Sequence, residues 1–283
     1  MSGVARMTSG LRVARVIERR PSFLILFAAA VVLILLAFAI APGLIATGDP
    51  IKLDVPNRLA PPSLGHPFGT DEGGRDIFSR VVFGTRNSLG IAVTVVLGSA
   101  LFGILFGAVA GLAGGAVDEV LMRIVDLFLA FPAFVLALAL AASLGRGLGS
   151  IALALAIIWW PGYARLVRGE ILALREQQHV ETARALGVRG LRLVRRHMLP
   201  FMTRSVNVRI TTDIGYALVA VTALSFLGLG AQSPTPEWGL LIRDSRSYFG
   251  SAWWYLLAPG FMVMLTTVAF SLIGDAVAER GDR

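Results

Sequence analysis

Six runs of apolar residues, separated by charged or proline- and glycine-bearing segments, require this 283-residue chain to fold across a lipid bilayer. They are Phe23 to Pro42, Leu89 to Ala113, Leu127 to Leu144, a run with its core at Ile151 to Tyr163, Thr211 to Gly230, and Trp253 to Ile273. Backbone amides and carbonyls in hydrocarbon must be satisfied within the segment, so each run is read as a helix. The class is an all-α membrane protein with six transmembrane helices. A mean hydropathy of +0.73 with only 16% charged residues agrees with this reading.

Charge sets the expected orientation. Residues 1–20 carry Arg6, Arg12, Arg15, Arg19 and Arg20 beside Glu18, and basic residues flanking a span stay cytoplasmic. The segment 1–20 is therefore expected to be a cytoplasmic tail, and 21–46 a first helix too long for a signal-peptide core. Residues 47–86 hold five prolines, five acidic and five basic residues, which suits an extracytoplasmic loop. Its second half, from His66 to Arg80, is read equally well as a plain solvated loop or as a short amphipathic piece on the membrane surface. The remaining five helices make a transmembrane domain over 87–275, and 276–283 is a cytoplasmic tail. On this topology 18 basic residues lie inside and 8 outside. The strongest contribution is the stretch from Arg165 to Arg209, with ten arginines against Glu170, Glu176 and Glu181.

Several positions inside the spans stand out. Gly103, Gly107 and Gly111 fall four apart on one helical face, the spacing that lets two helix backbones approach closely. Intrachain packing and a subunit or pore-lining contact fit that face equally well. Pro132 interrupts the third span and is expected to kink it, either as a gate or, the preferred reading, as a packing device. Asp118, Glu119, Arg123 and Asp126 are read as a short inside turn before that span. Trp159, Trp160 and Tyr163 are expected at headgroup level at the inner end of the fourth. Asp126 is expected to pair with Arg123 and Asp213 with Arg209. Each ionisable residue then lies within about two turns of an inner end, and no mid-membrane carboxylate or histidine chain remains for proton coupling.

The residues 179–204 form a basic segment between the fourth and fifth spans. Ala183, Leu186, Gly187, Gly190, Leu191, Val194 and Met198 recur at steps of three or four, giving a small-to-apolar face. Gly187 and Gly190 each cost roughly 1 kcal/mol in a helix interior, which predicts two short helices with a turn between them. Leu199-Pro200 ends the unit or resets its direction.

Residue content excludes several chemistries. Lys52 is the only lysine and sits in IKLDVP, outside any glycine-rich turn, so the chain carries no P-loop nucleotide site. There is no cysteine, and His66, His179 and His197 lack metal-ligand spacing, so no catalytic or metal site is assigned. Serines have no histidine within a span to activate them. The arginines alternate in blocks with apolar runs, a topological pattern rather than a nucleic-acid surface. A proton- or ion-coupled secondary transporter or channel is the alternative to a transporter powered by another chain.

Glu181-Thr182-Ala183, with Gly187 four residues beyond Ala183 and Leu199-Pro200 further on, resembles the EAA motif of membrane subunits in binding-protein-dependent ABC importers. The stretches Phe68 to Leu89, Phe128 to Leu138 and Ser225 to Gly239 resemble the C-type permease subunit of dipeptide and oligopeptide importers. Thr182 departs from the usual alanine, and Met198 stands where a branched aliphatic is common. A threonine hydroxyl bonds back to a carbonyl one turn earlier, so the helix tolerates it. The resemblance implies a type I importer (MetI-like) permease fold with cytoplasmic coupling helices, in the inner membrane of a bacterium or archaeon. It implies a second, B-type permease, two cytoplasmic ATPase domains that bind ATP and magnesium, and an extracytoplasmic substrate-binding protein. The chain itself would hold no cofactor. In the coupling unit, Glu181 would fix the start through a cap-like or arginine-pairing contact. Ala183 and Ala185 would permit close approach, Gly187 would supply the turn, and Pro200 would set the exit direction.

Overall fold

The computed structural model describes residues 21–279. The expectations for the 1–20 tail and for Arg280, Asp282 and Arg283 lie outside the described residues. The described residues are helical and contain no strand, only an isolated bridge between Thr70 and Asp76. The helices are α1 (Pro21–Ile40), α2 (Ile77–Ala113), α3 (Gly115–Leu129), α4 (Ala133–Leu144), α5 (Leu148–Arg175), α6 (Gln178–Ala185), α7 (Leu199–Phe226), α8 (Trp238–Ser245) and α9 (Trp253–Glu279). Among the described residues α1, α2, α5, α7 with its preceding turn, and α9 are long and apolar enough to cross a membrane; α3 and α4 pass that test jointly, bent by 83°. The expected all-α, multi-span class is what the chain forms.

The bundle is organised on α2 and α5, which pack along their lengths, with α7 against both and α9 against α7. Gly103, Gly107 and Gly111 all face α5. A Cβ on Gly107 would stand 2.3 Å from the Ala164 carbonyl oxygen, and one on Gly103 2.4 Å from that of Trp160, so the backbones meet without side chains between them. On α1, apolar all round, Ala28, Val31 and Leu35 are buried while Phe23 is 76% exposed. Such a helix suits lipid on its open side.

The structure departs from several expectations. The helix of the second span starts at Ile77, twelve residues before Leu89, because Asp76 caps it: the carboxylate accepts from the Ser79 amide and the Ser79 hydroxyl, both at 2.7 Å. Residues 77–86, assigned to the loop, are therefore its first turns. The third span is not a kinked helix. Pro132 stands at the N-terminal cap of α4, where its missing N–H and the constraint on Phe131 break the chain into two helices, and the supposed inside turn is the body of α3. Asp126 pairs with Arg165 of α5, and Arg123 with Glu119, because α3 lies along α5 and offers Asp126 a partner across the interface. Arg168 closes a second, bidentate bridge to Asp118. Trp160 and Tyr163 are core residues rather than headgroup anchors. Trp160 packs edge-on to Phe102, Phe106 and Phe128, and Tyr163 is fully buried.

The end of the bundle nearest residues 47–76 is clamped by buried polar groups. The second half of that loop is neither solvated nor a surface amphipath, since Thr70, Asp71 and Asp76 are buried. Asp71 accepts from the amides of Gly73 and Arg75 and pairs with Arg80, both side chains being fully buried. Glu72 accepts the Tyr255 hydroxyl of α9 at 2.6 Å. Burial pushes the Asp76 carboxyl up, but the Thr47 and Ser79 hydroxyls, the Ser79 amide and His66 together hold it below its ordinary value. Glu237, also buried, caps α8 through the amides of Gly239 and Leu240, while Trp238 Nε1 donates to the Val81 carbonyl. Burial pushes the Glu237 carboxyl up against these hydrogen bonds, which pull it down.

Candidate functional site

At the opposite end of the bundle, α5 stops at Arg175 and the chain turns through Glu176 and Gln177 into α6. Gln177 supplies backbone but no side-chain cap; its carbonyl accepts from Val180 and Glu181, and Glu181 places an acid in the first turn, where the helix dipole favours it. Thr182 Oγ1 donates to the Gln178 carbonyl at 2.8 Å, the back-bond expected of its hydroxyl. The exit is a Schellman turn. Val188 N–H donates to the Ala183 carbonyl and Gly187 N–H to that of Arg184, each at 3.0 Å, with Gly187 at φ +86°. Only a residue without a Cβ takes this conformation cheaply, so Gly187 is the residue that ends α6.

A second helical piece follows at Gly190–Leu193, then a π-helical turn Val194–Met198, which runs into α7. The wide turn has a covalent reason. Pro200 lacks the N–H that would bond to the carbonyl four residues back, and its ring crowds that carbonyl. Leu199 and Pro200 thus occupy the first turn of α7, both exposed. Two short helical pieces with a glycine turn are formed, as the glycine spacing predicts.

The unit is seated on one face and open on the other. Val180, Ala183, Leu193 and Met198 are buried with Val167, Ile171 and Leu174 of α5 and Met202 and Val206 of α7. Of the two alanines assigned to close approach, Ala183 faces this internal core and Ala185 is exposed. Leu186, expected on the apolar face, is 79% exposed instead, because the helix ends one residue before it and the chain leaves the core. Glu181, Thr182, Arg184 and Ala185 share the open side, and among the described residues Glu181 has no arginine partner. His179 Nε2 donates to the His197 carbonyl at 3.1 Å and its ring lies on Phe201, tying the two pieces together. Arg175 donates to the Leu112 carbonyl, joining this end of α5 to the end of α2.

A second feature is not visible in the sequence. On α7, Ser205, Arg209, Thr212 and Tyr216 recur at helical spacing and line a cavity of about 770 Å³ with Trp159 and Leu166 of α5 and Ala278 of α9. Trp159 and Arg209 also line a smaller, more apolar cavity of about 260 Å³ between α4, α5 and α7. The two cavities adjoin at these shared walls, and together they are the groove of this face. Arg209 Nε donates to Asp213 at 2.8 Å, the pair expected from their spacing. α7 begins at Leu199, so both stand about three turns or more from its first residue. Hydropathy places the start of the fifth span at Thr211 because the arginines before it suppress the signal, and that obscures the polar stripe.

A model of the family described as binding-protein-dependent transport system inner membrane component matches residues 103–283. The chain is 41% identical over 249 residues to the probable D,D-dipeptide transport system permease protein DdpC of Escherichia coli, covering 88% of this chain and 83% of that one. It is 41% identical to the dipeptide transport system permease protein DppC of Alkalihalophilus pseudofirmus, covering 86% and 80%. It is also 38% identical to the nickel transport system permease protein NikC of Escherichia coli, covering 83% and 84%.

Proposed function

We propose, from the premise that the chain belongs to the family of binding-protein-dependent transport system inner membrane components, that it is one permease half of an ATP-driven importer for short peptides. It is a membrane-spanning permease component and not itself the ATPase. In the proposed assembly a homologous B-type permease completes the pore, two cytoplasmic ATPase domains bind ATP and magnesium, and an extracytoplasmic binding protein delivers the solute. The end bearing α6 then faces the cytoplasm, with both chain termini on that side, and residues 47–76 face outward.

The observation that carries the coupling role is the seating of α6. Its underside is locked into the core shared by α5 and α7, while Glu181, Thr182, Ala185 and Leu186 stand in the open. A force applied to that open side reaches both helices at once. Through the glycine contact and the Arg175–Leu112 hydrogen bond α5 carries α2, and through Arg165–Asp126 and Arg168–Asp118 it carries α3. Closure of the ATPases would therefore move α2, α3, α5 and α7 as connected bodies and switch the groove between its two openings. Di- and oligopeptides are proposed as cargo on the strength of the dipeptide permease relatives. Uptake of labelled trialanine by cells expressing this chain with its partner permease and binding protein, with and without the ATPases, tests this. The proposal requires uptake to vanish without the ATPases, and uptake that persists on a proton gradient alone would contradict it.

A further inference from the structure

We propose that Arg209 is a carboxylate-binding point in the wall of the groove, recognising the free C-terminus of a passing peptide. This rests on the importer reading above and adds a substrate-contacting residue to it. A charged side chain inside a spanning helix is costly unless it meets water, a partner or a ligand. Among the described residues Arg209 pairs with Asp213 alone and uses only Nε to reach it. Its terminal nitrogens make no hydrogen bond or ion pair among the described residues, and the side chain is 43% exposed, whereas Asp213 is 6% exposed. The acid is sequestered and the base is presented.

The guanidinium is also held in place. Its carbon lies 5.7 Å from the centre of the buried Tyr163 ring. Gly162 leaves the room for it, since a Cβ there would come within 3.2 Å of Arg209 Nη2. Nε is fixed by Asp213, so the planar group is oriented before any ligand arrives. Its remaining donors have the fork geometry that matches a carboxylate bidentately, which an ammonium lacks. Position supports the same ligand. Arg209 is a wall of both cavities, with Phe134, Ala137, Leu155, Ile158 and Ala220 on one side of it and Ser205, Thr212 and Tyr216 on the other. A short peptide with its carboxylate on Arg209 would lay its side chains against the apolar portion. Because Asp213 offsets part of the charge, binding would be weak enough to release the cargo.

The test uses the whole complex of both permeases and the ATPases in nanodiscs, without the binding protein, and saturation-transfer NMR with trialanine and trialanine amide. The wild type should favour the free carboxylate by roughly tenfold, the scale of one charge-assisted pair. Arg209→Gln/Asp213→Asn, which keeps the site neutral, should abolish the preference. Arg209→Lys, which keeps charge without the fork, should reduce it severalfold, and decides the matter alone if the double variant does not assemble. Equal binding of both probes by the wild type, or no binding of either, overturns the proposal, as does a preference that survives in the variants. ATP-driven trialanine uptake by the same complex with its binding protein is measured in parallel. Uptake without a binding preference removes the Arg209 inference alone, and absence of uptake removes the peptide-importer reading with it.

Discussion

Gly107 of α2 lies so close to Ala164 of α5 that a single added carbon would stand 2.3 Å from the Ala164 carbonyl oxygen. That contact makes the two central helices one mechanical unit, since no side chain between them can yield. Gly107→Val is therefore expected to separate them. Overpacking of this kind costs roughly 1–3 kcal/mol. Thermal unfolding of the purified complex should show the loss, whereas Gly98→Ala, in the same helix with nothing within 4 Å, should show none and gain up to about 1 kcal/mol from helix propensity.

The Schellman turn sets a second expectation. At φ +86° a branched residue in place of Gly187 is strained by roughly 1–2 kcal/mol. Gly187→Val should let the complex insert and hydrolyse ATP while uptake falls, because the exit of α6 is displaced. Gly187→Asn should retain more uptake, since asparagine tolerates this region. The ratio of solute taken up to ATP hydrolysed measures the effect, and an unchanged ratio in the valine variant would contradict it.

The buried Asp71–Arg80 pair predicts a strong asymmetry between single and double changes. Arg80→Met leaves the buried Asp71 carboxylate with Arg75, 3.6 Å away, as its remaining cation, and is expected to cost up to about 3 kcal/mol, the lower end for a broken buried pair. Adding Asp71→Asn should recover part of that loss, because asparagine still accepts from Gly73 and Arg75. A double-mutant cycle on thermal stability checks it, and simple additivity would count against the pair.

Asp76 gives a pH dependence with a definite sign. Its folded-state value lies below the ordinary 3.8, so the stability it contributes is present above that value and is lost as pH falls through the lower, folded one. Melting temperature should drop more steeply for wild type than for Asp76→Asn as pH is lowered from about 5 to 3. Parallel curves would contradict the assignment.

The apolar runs make the class legible, because length and hydropathy report burial in lipid directly. The glycine spacing in α2 and the glycine-interrupted unit around Gly187 are legible for the same kind of reason: each is a local rule about backbone. What the sequence conceals are relations between distant residues. Arg80 and Glu237 look like loop charges until Asp71, Ser88 and the amides of α8 are brought to them. Pro132 looks like a kink because periodicity does not say how α3 and α4 diverge. Trp160 looks interfacial because an aromatic beside a charged segment has the same pattern whether it meets headgroups or three phenylalanines. The run of arginines before Thr211 likewise hides the helical turns of α7 that begin at Leu199.

The open face of α6 is proposed to meet an ATPase, and the absence of cysteine from the chain allows a clean measurement. Ala185→Cys, labelled with a maleimide benzophenone in the assembled complex and irradiated, should give an adduct with the ATPase whose yield changes on adding ATP. Leu64→Cys, fully exposed in the loop at the opposite end, serves as the control. ATPase adducts from the Ala185→Cys variant no more abundant than from the Leu64→Cys control would contradict the account.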